Sequence, residues 1–271
     1  MANPLGFAPL HKKAPLVGAF FMAAIWGASA QAEVRCAPPG LVQQVTVRHV
    51  VDGDTLRLID GRSVRLIGIN APEIGRRGHA SEPFAEAARQ RLRALVKASD
   101  GRLGLVVGKE RTDHYGRLLA HAYGRDGRNL EARLLGEGLG YRVAIAPNVV
   151  LTRCHRQAER QAREAGIGLW RRQAVRRAAE LRRPGFAVVA GRVEQVRRQR
   201  ADVSLVLDDR LLVTVPARLH DRLSMRALER LRGRQVEVRG WVRPRVGAGS
   251  STRNGPRWRL SLTDPSMLEL R

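Results

Sequence analysis

Two short stretches of the chain gather the side chains that phosphodiester chemistry needs. The first, Val51 to Glu73, reads VDGDTLRLIDGRSVRLIGINAPE; the second, Arg111 to Tyr123, reads RTDHYGRLLAHAY. Asp52 and Asp54 flank Gly53, which permits a backbone bend, and two acids held close together suit Ca2+ or Mg2+, which take oxygen ligands. By itself DGD is also an ordinary polar turn. Arg65 stands between Val64 and Leu66 in an apolar strand. Its guanidinium must find an anion or point outward, and it can hold two phosphate oxygens at once. Glu73 follows a strand end at Pro72. A carboxylate there could take a proton from water while arginines stabilise the charge that builds on phosphorus. Arg117 follows Tyr115 and Gly116 in a turn and could reach the same place. Taken alone, it is one arginine in an arginine-rich chain.

The elements that must position these residues follow from periodicity and breakers. Val45 to Val51, Thr55 to Ile59 and Ser63 to Ile69 read as three strands, with a tight turn at Asp60-Gly61, so a β-meander carries the first motif. Ser81 to Ala98 has helical period, with Ser81 as N-cap and Phe84, Ala88, Leu92 and Leu95 on one face. Strands at Leu103 to Arg111 and Leu118 to Tyr123 bracket the second motif. Helices are expected over Asn129 to Gly138 and Leu151 to Glu164. Arg171 to Arg183, RRQAVRRAAELRR, reads as a basic helical linker closed by Pro184-Gly185. Beyond it come strands at Phe186 to Val196, Val203 to Leu207 and Leu211 to Val215, then a helical interval from Leu219 to Leu231. Strands at Gln235 to Val242 and Trp258 to Leu262 close the chain, joined by a Gly- and Ser-rich loop, Gly247 to Gly255. The order β-β-β-α-β-β suggests a small five-stranded barrel of the OB type.

The bulk composition narrows the partners. The 271 residues are enough for two small domains with real cores. The net charge of +24 and pI of about 11.7 call for a polyanion, nucleic acid first and an anionic membrane surface second. Arginine-heavy codon usage would raise the charge without any function. His11, Lys12 and Lys13 precede an apolar run, and Ala28-Ser29-Ala30 and Ala30-Gln31-Ala32 offer cleavage sites. Residues 1–32 therefore read as a cleaved signal peptide rather than an anchor, the run being short for a bilayer. The mature chain is expected to be periplasmic or secreted, with no membrane segment left. The two cysteines, Cys36 and Cys154, are then free to bridge or to remain thiols; sequence does not give their separation. The histidines lack the close spacing of a zinc site.

The ordered set DGDT, then RLIGINAPE, then RTDHYGRLLA resembles the thermonuclease family, the relatives of staphylococcal nuclease. The similarity runs from about Val45 to Trp170, through Glu131-Ala132-Arg133-Leu134 and Gly138-Leu139. It implies a mainly β fold with α: a five-stranded OB-type barrel with three helices over 33–172. After the linker at 173–185, a second small OB-like barrel is expected over 186–271. The resemblance further implies cleavage of DNA and RNA with Ca2+ or another divalent cation. Asp54 would be a direct metal ligand, Asn70 would stand where the family has a second aspartate, and Ala71 would offer its backbone carbonyl. Asp52 would support the metal from behind, Glu73 would be the general base, and Arg65 and Arg117 would clamp the phosphate. Tyr115 would contact a nucleotide phosphate.

Departures from the family pattern leave alternatives open. Asn70 removes one negative charge from the metal site, which should lower affinity. His114 replaces a lysine or arginine. A tyrosine-rich, base-stacking segment reads here as Ala144-Ile145-Ala146, with Tyr141 a candidate substitute. A nucleic-acid-binding protein with a weakened or dead site is the second reading, and a surface protein bound to anionic lipid or polysaccharide the third. The second barrel carries no catalytic constellation. Its arginines suit a polyanion, but Trp241 and Trp258 are few aromatics for a strand binder. Oligomeric state is not legible.

Overall fold

Alternation of apolar and polar residues builds the first barrel. The computed structural model describes residues 1, 34–75, 78–171, 174–245 and 255–271. All but Met1 of the expected signal segment, and nearly all of the expected loop from Gly247 to Gly255, lie outside the described residues. Strands β1 (Gln43–Val50), β2 (Thr55–Leu58) and β3 (Ser63–Leu66) form the meander, followed by a two-residue β4 (Ile69–Asn70). Helix α1 (Ala85–Lys97) leads to β5 (Arg102–Thr112) and β6 (Leu118–Tyr123). Helix α2 (Leu130–Gly136), strand β7 (Tyr141–Arg142) and helix α3 (Thr152–Glu164) complete the unit. The sheet closes in the order β1-β2-β3-β6-β5, with β3 and β6 parallel and every other pairing antiparallel. Leu56, Leu58, Val64, Leu66, Leu103, Leu105 and Ala120 point inward, and α1 covers them with Leu92 and Leu95.

The second unit repeats this connectivity. Strand β8 (Val175–Arg177) precedes β9 (Gly185–Gln199), β10 (Asp202–Leu207) and β11 (Leu211–Val215). A short helix α4 (Met225–Glu229), β12 (Gln235–Pro244), β13 (Trp258–Ser261) and β14 (Leu268–Leu270) follow. Pairings run β9-β10-β11-β13-β12 and return from β12 to β9, with β11 and β13 parallel. Its core holds Val189, Leu205, Val213, Val236, Val238 and Leu260.

Two local expectations are corrected. Ser81 is not the N-cap of α1: the cap is Phe84, in the left-handed region at φ 68°, and the Ser81 hydroxyl instead accepts a hydrogen bond from Gly75 N–H. Burial of Ala85 and Ala88 sets where that helix starts, overriding the capping preference. The described part of the expected helical linker, residues 174–185, is not an α-helix. Val175–Arg177 pairs in parallel with Val188–Ala190 of β9, and a single 3-10 turn, Ala178–Glu180, follows. An open sheet edge offers more hydrogen bonds than an isolated helix so short could keep. At Gly53 the expected bend is present. A Cβ there would stand 2.6 Å from the Cβ atoms of Ala71 and Ala88, so glycine is needed for close packing.

Two covalent or polar anchors fix α3. The Cys36–Cys154 disulfide, spanning 118 residues, ties the N-terminal arm to it. His155, one residue on, is buried with its Nε2 3.1 Å from Asn129 Oδ1. Asn129 Oδ1 already accepts Ala132 N–H, so Nε2 carries the proton. Gly68, at φ 86°, presses against the other ring nitrogen, and a Cβ there would lie 2.2 Å from His155 Nδ1.

The two units are joined by a run of alternating charges. Arg156 and Arg142 share Glu269 Oε1, at 2.8 and 2.9 Å. Arg142 N–H donates to Glu159 Oε1 at 2.8 Å, and Arg239 Nη1 donates to Glu159 Oε2 at 2.6 Å. Arg239 Nη2 then reaches Glu237, which Arg163 holds with two bonds of 2.8 and 2.7 Å. Arg142, Glu159, Glu237 and Arg239 are all at most 3% exposed. Burial, followed by the positive charge of Arg239, pushes Arg142 down to about 10. Burial and the neighbouring His121 and Arg142 push His155 down to about 3.

Replacing Arg239 with methionine leaves the buried Glu159 carboxylate without its closest side-chain ion pair and takes one of two arginines from Glu237; it should cost about 3–5 kcal/mol, read from urea unfolding. The His155 shift gives a pH signature. Between its ordinary value of 6.5 and about 3, the unfolded chain binds a proton that the folded chain does not. Stability therefore falls as pH drops through that window, by up to about 1.4 kcal/mol per pH unit from this group. The His155→Gln variant should show a shallower slope in the same titration.

Candidate active site

The register of the first barrel brings the sequence candidates to one end. Thr55 pairs with Arg65, and Arg65 pairs with Leu119 of β6. Arg117 lies two residues before Leu119, just outside β6, so it stands at the same end of the barrel as Arg65. Asp54 directly precedes β2, while Asn70, Ala71 and Glu73 leave β4 at that same end.

Arg65 does not point outward. Its Nη1 lies 2.8 Å from Asp54 Oδ2 and donates to the carbonyls of Leu66 and Ile69 at 3.2 and 3.0 Å. Nη2 donates to Asn70 Oδ1 at 3.1 Å. Arg65 is thus the hub that collects Asp54 and Asn70 around one guanidinium, with Nε meeting no acceptor among the described residues. Asp54 is 5% exposed. Its Oδ2 accepts Ala71 N–H at 2.7 Å, its Oδ1 accepts the Thr55 hydroxyl at 3.1 Å, and its own N–H donates to Asp52 Oδ1. Burial pushes Asp54 up to about 7 against the pull of Arg65, and the neighbouring Asp52 adds to the rise.

This donor set fits a hard cation. Two carboxylates, the Asn70 amide oxygen and a main-chain carbonyl at Ala71 are all oxygen, and one buried carboxylate is undercompensated by its arginine. No group of three or more His, Cys, Asp or Glu side chains converges among the described residues, so the set is sparse in charge.

Arg117 is held by a residue that the motif reading passed over. Asp113 Oδ1 accepts the N–H groups of Tyr115 and Arg117, and its Oδ2 takes Arg117 Nε at 2.7 Å. Burial opposes ionisation of Asp113, but these bonds outweigh it and lower its pKa. The spacing D-x-Y-G-R is the signal that could have found it, since an Asp side chain closes such turns on its own backbone. Tyr115 is 72% exposed, and its ring centroid lies 5.4 Å from the Arg117 guanidinium carbon. His114 packs on the same ring, centroids 3.8 Å apart.

Glu73 is exposed and held by its main chain. Its N–H donates to Glu82 Oε2 and its carbonyl accepts Glu82 N–H, both at 2.9 Å. Glu82 carries no motif signal. Tyr141 pairs with Asn70 across β4 and β7, which puts the tyrosine beside the site. Burial raises the Tyr141 pKa; Arg176 opposes the shift and the nearby Glu82 adds to it. The structure therefore brings Asp52, Asp54, Arg65, Asn70 and Ala71 into one hydrogen-bonded set. Arg117 with Tyr115, and Glu73 with Glu82, are held separately at its edge.

Known proteins show the same arrangement of sequence. Residues 63–172 match the family described as staphylococcal nuclease homologue. The endonuclease YncB of Bacillus subtilis is 36% identical over 132 residues, covering 46% of this chain and 61% of that protein. The SPbeta prophage-derived endonuclease YokF of the same organism is also 36% identical over 132 residues, covering 43% of its length. The chain thus spans under two thirds of these two relatives. The thermonuclease of Staphylococcus intermedius is 30% identical over 129 residues, which cover 75% of that protein. With a relative matched over three quarters of its length and a barrel of the expected pairing order, this chain belongs to the staphylococcal nuclease family.

Proposed function

We propose that the protein hydrolyses phosphodiester bonds of DNA, RNA or both at the end of the first barrel, aided by Ca2+ or another divalent cation. The observation that carries this reading is the Arg65 hub, a guanidinium tied to Asp54 and Asn70, with Arg117 braced by Asp113 at the same end of the barrel. A pure binding surface has no need of a buried acid held against an arginine with a second, separately braced arginine at the same barrel end.

In this reading Arg65 and Arg117 hydrogen-bond the non-bridging oxygens of the phosphate, and the pre-set Asp113 brace keeps Arg117 in place. Glu73 takes a proton from water as the water oxygen bonds to phosphorus, and the bond from phosphorus to the leaving oxygen breaks. The two guanidinium groups offset the charge that accumulates on the equatorial oxygens. Asp54, Asn70 and Ala71 would hold the cation, with Asp52 behind them. When bound, it supplies positive charge against the phosphate and orients it. Tyr115 packs beside Arg117 and offers a hydroxyl to the neighbouring phosphate.

A second reading rests on Asn70: with one carboxylate fewer, the site binds nucleic acid and cuts it poorly. Incubating the protein with single-stranded DNA, with and without Ca2+, separates the two. Cleavage that depends on the ion supports the nuclease. Salt-sensitive binding without cleavage supports the second reading, and neither binding nor cleavage supports attachment to lipid or polysaccharide. Export of the mature chain is part of the proposal, supported by the Cys36–Cys154 disulfide, a bond that persists in oxidising compartments. Among the described residues no helix is long and apolar enough to cross a membrane.

The Glu73→Gln variant should lose at least about a hundredfold in cleavage rate while retaining DNA affinity, measured by turnover and by binding without metal. The Asn70→Asp variant should bind Ca2+ more tightly, by about tenfold in calorimetry. Equal or weaker affinity would remove residue 70 from the metal shell.

A further inference from the structure

The second barrel carries a groove of about 450 Å³ on the outer face of β11, β12 and β13, lined by Trp241, Arg243, Arg259, Leu260, Ser261 and Thr214. No carboxylate lines it. Arg243 and Arg259 face each other directly across β12 and β13. The hydrogen bond from Arg245 N–H to the Arg257 carbonyl continues that register, so a second arginine pair stands two residues further along the same face. All four are exposed, and among the described residues none of the four side chains has a hydrogen-bond or ion-pair partner. Like charges directly opposite on a ribbon destabilise it, and a bound polyanion reverses the sign of that interaction.

An aromatic row joins this groove to the first barrel. Tyr141, the neighbour of Asn70, lies 5.5 Å from Phe186, and Phe186 lies 5.2 Å from Trp241, centroid to centroid. Trp170 packs edge-on against Tyr141 at 5.7 Å. All four rings are partly exposed. Exposed arginine pairs alone would suit any polyanion, including a duplex or a sulfated glycan. Partly exposed rings beside them favour a strand whose bases are unstacked.

We propose that this groove binds single-stranded nucleic acid, with Trp241 stacking a base and the Arg243–Arg259 and Arg245–Arg257 pairs holding successive phosphates. The strand then runs over Phe186 and Tyr141 to the phosphate clamp of the first barrel. The groove raises the local concentration of strand at that clamp by tethering, so long single strands are the preferred substrate. This extends the nuclease reading, but the binding step does not depend on cleavage.

The test measures binding of the full chain to a labelled long single strand, to a trinucleotide, to duplex DNA of the same length and to heparin. It is run in chelator so that nothing is cut. The double variant R243Q/R259Q should weaken long-strand binding about tenfold and reduce the slope of log affinity against log salt by about 1.4, the share of two phosphates. Trp241→Ala should cost about tenfold, and Trp241→Phe should restore most of it. Trinucleotide binding should not change. Unaltered affinity and salt slope in both the double variant and Trp241→Ala would overturn the proposal. So would equal losses for duplex or heparin, which would make the face a general polyanion surface. Retained cleavage in Glu73→Gln would remove Glu73 as the base and leave these binding results standing.

Discussion

The run Arg156–Glu269–Arg142–Glu159–Arg239–Glu237–Arg163, buried at its four middle members Arg142, Glu159, Arg239 and Glu237, is the constraint on which the arrangement of the molecule depends. Each charge in it has an opposite neighbour, and a buried member cannot leave without weakening the pairing of another in a poorly solvated place. Apolar faces would let two barrels slide over one another. Paired charges with fixed hydrogen-bond geometry define one register. Arg142 follows Tyr141 in β7, so its lateral grip on Glu159 and Glu269 also fixes where Tyr141 meets Phe186 and, through β4, how Asn70 is presented.

A smaller device of the same kind organises the site. Arg65 is surrounded by acceptors: one carboxylate, one amide and two carbonyls. Its position is set before any ligand arrives, and so is the separation of Asp54 and Asn70. Preorganisation of this sort means that little reorganisation is needed when charge develops on a substrate. Arg117 has its own brace in Asp113, on a turn outside the barrel. The two arginines therefore stand at one end of the barrel on independent supports.

Two barrels with one connectivity carry different surfaces. The first spends its strand ends on acids and arginines close together; the second carries arginine pairs in register and no acid in its groove. Glu237 and Arg239 on the outer face of β12 are consumed by the junction. Trp241 and Arg243 continue that face beyond the junction, where the first unit no longer covers it.

Much of the first barrel was legible because its strands alternate cleanly and its motifs are short and ordered. Asp54, Arg65, Asn70 and Ala71 lie within a sequence separation of 17, and a single meander brings them together. The N-cap of α1 and the nature of residues 174–185 were not legible. Ser81 has the right chemistry for a cap, and RRQAVRRAAELRR the right composition for a helix, but packing of Ala85 and an open edge beside β9 decided otherwise. Glu82, Asp113 and the row of Tyr141, Phe186 and Trp241 carry no local signal, since their meaning comes from residues far away in sequence. The sequence by itself determined which residue types gather at the end of the first barrel, because residue types and spacing there are tied to one local meander. Only the tertiary structure decided the disulfide, the charge run and the aromatic path between barrels, because each of these joins segments whose separation no periodicity encodes.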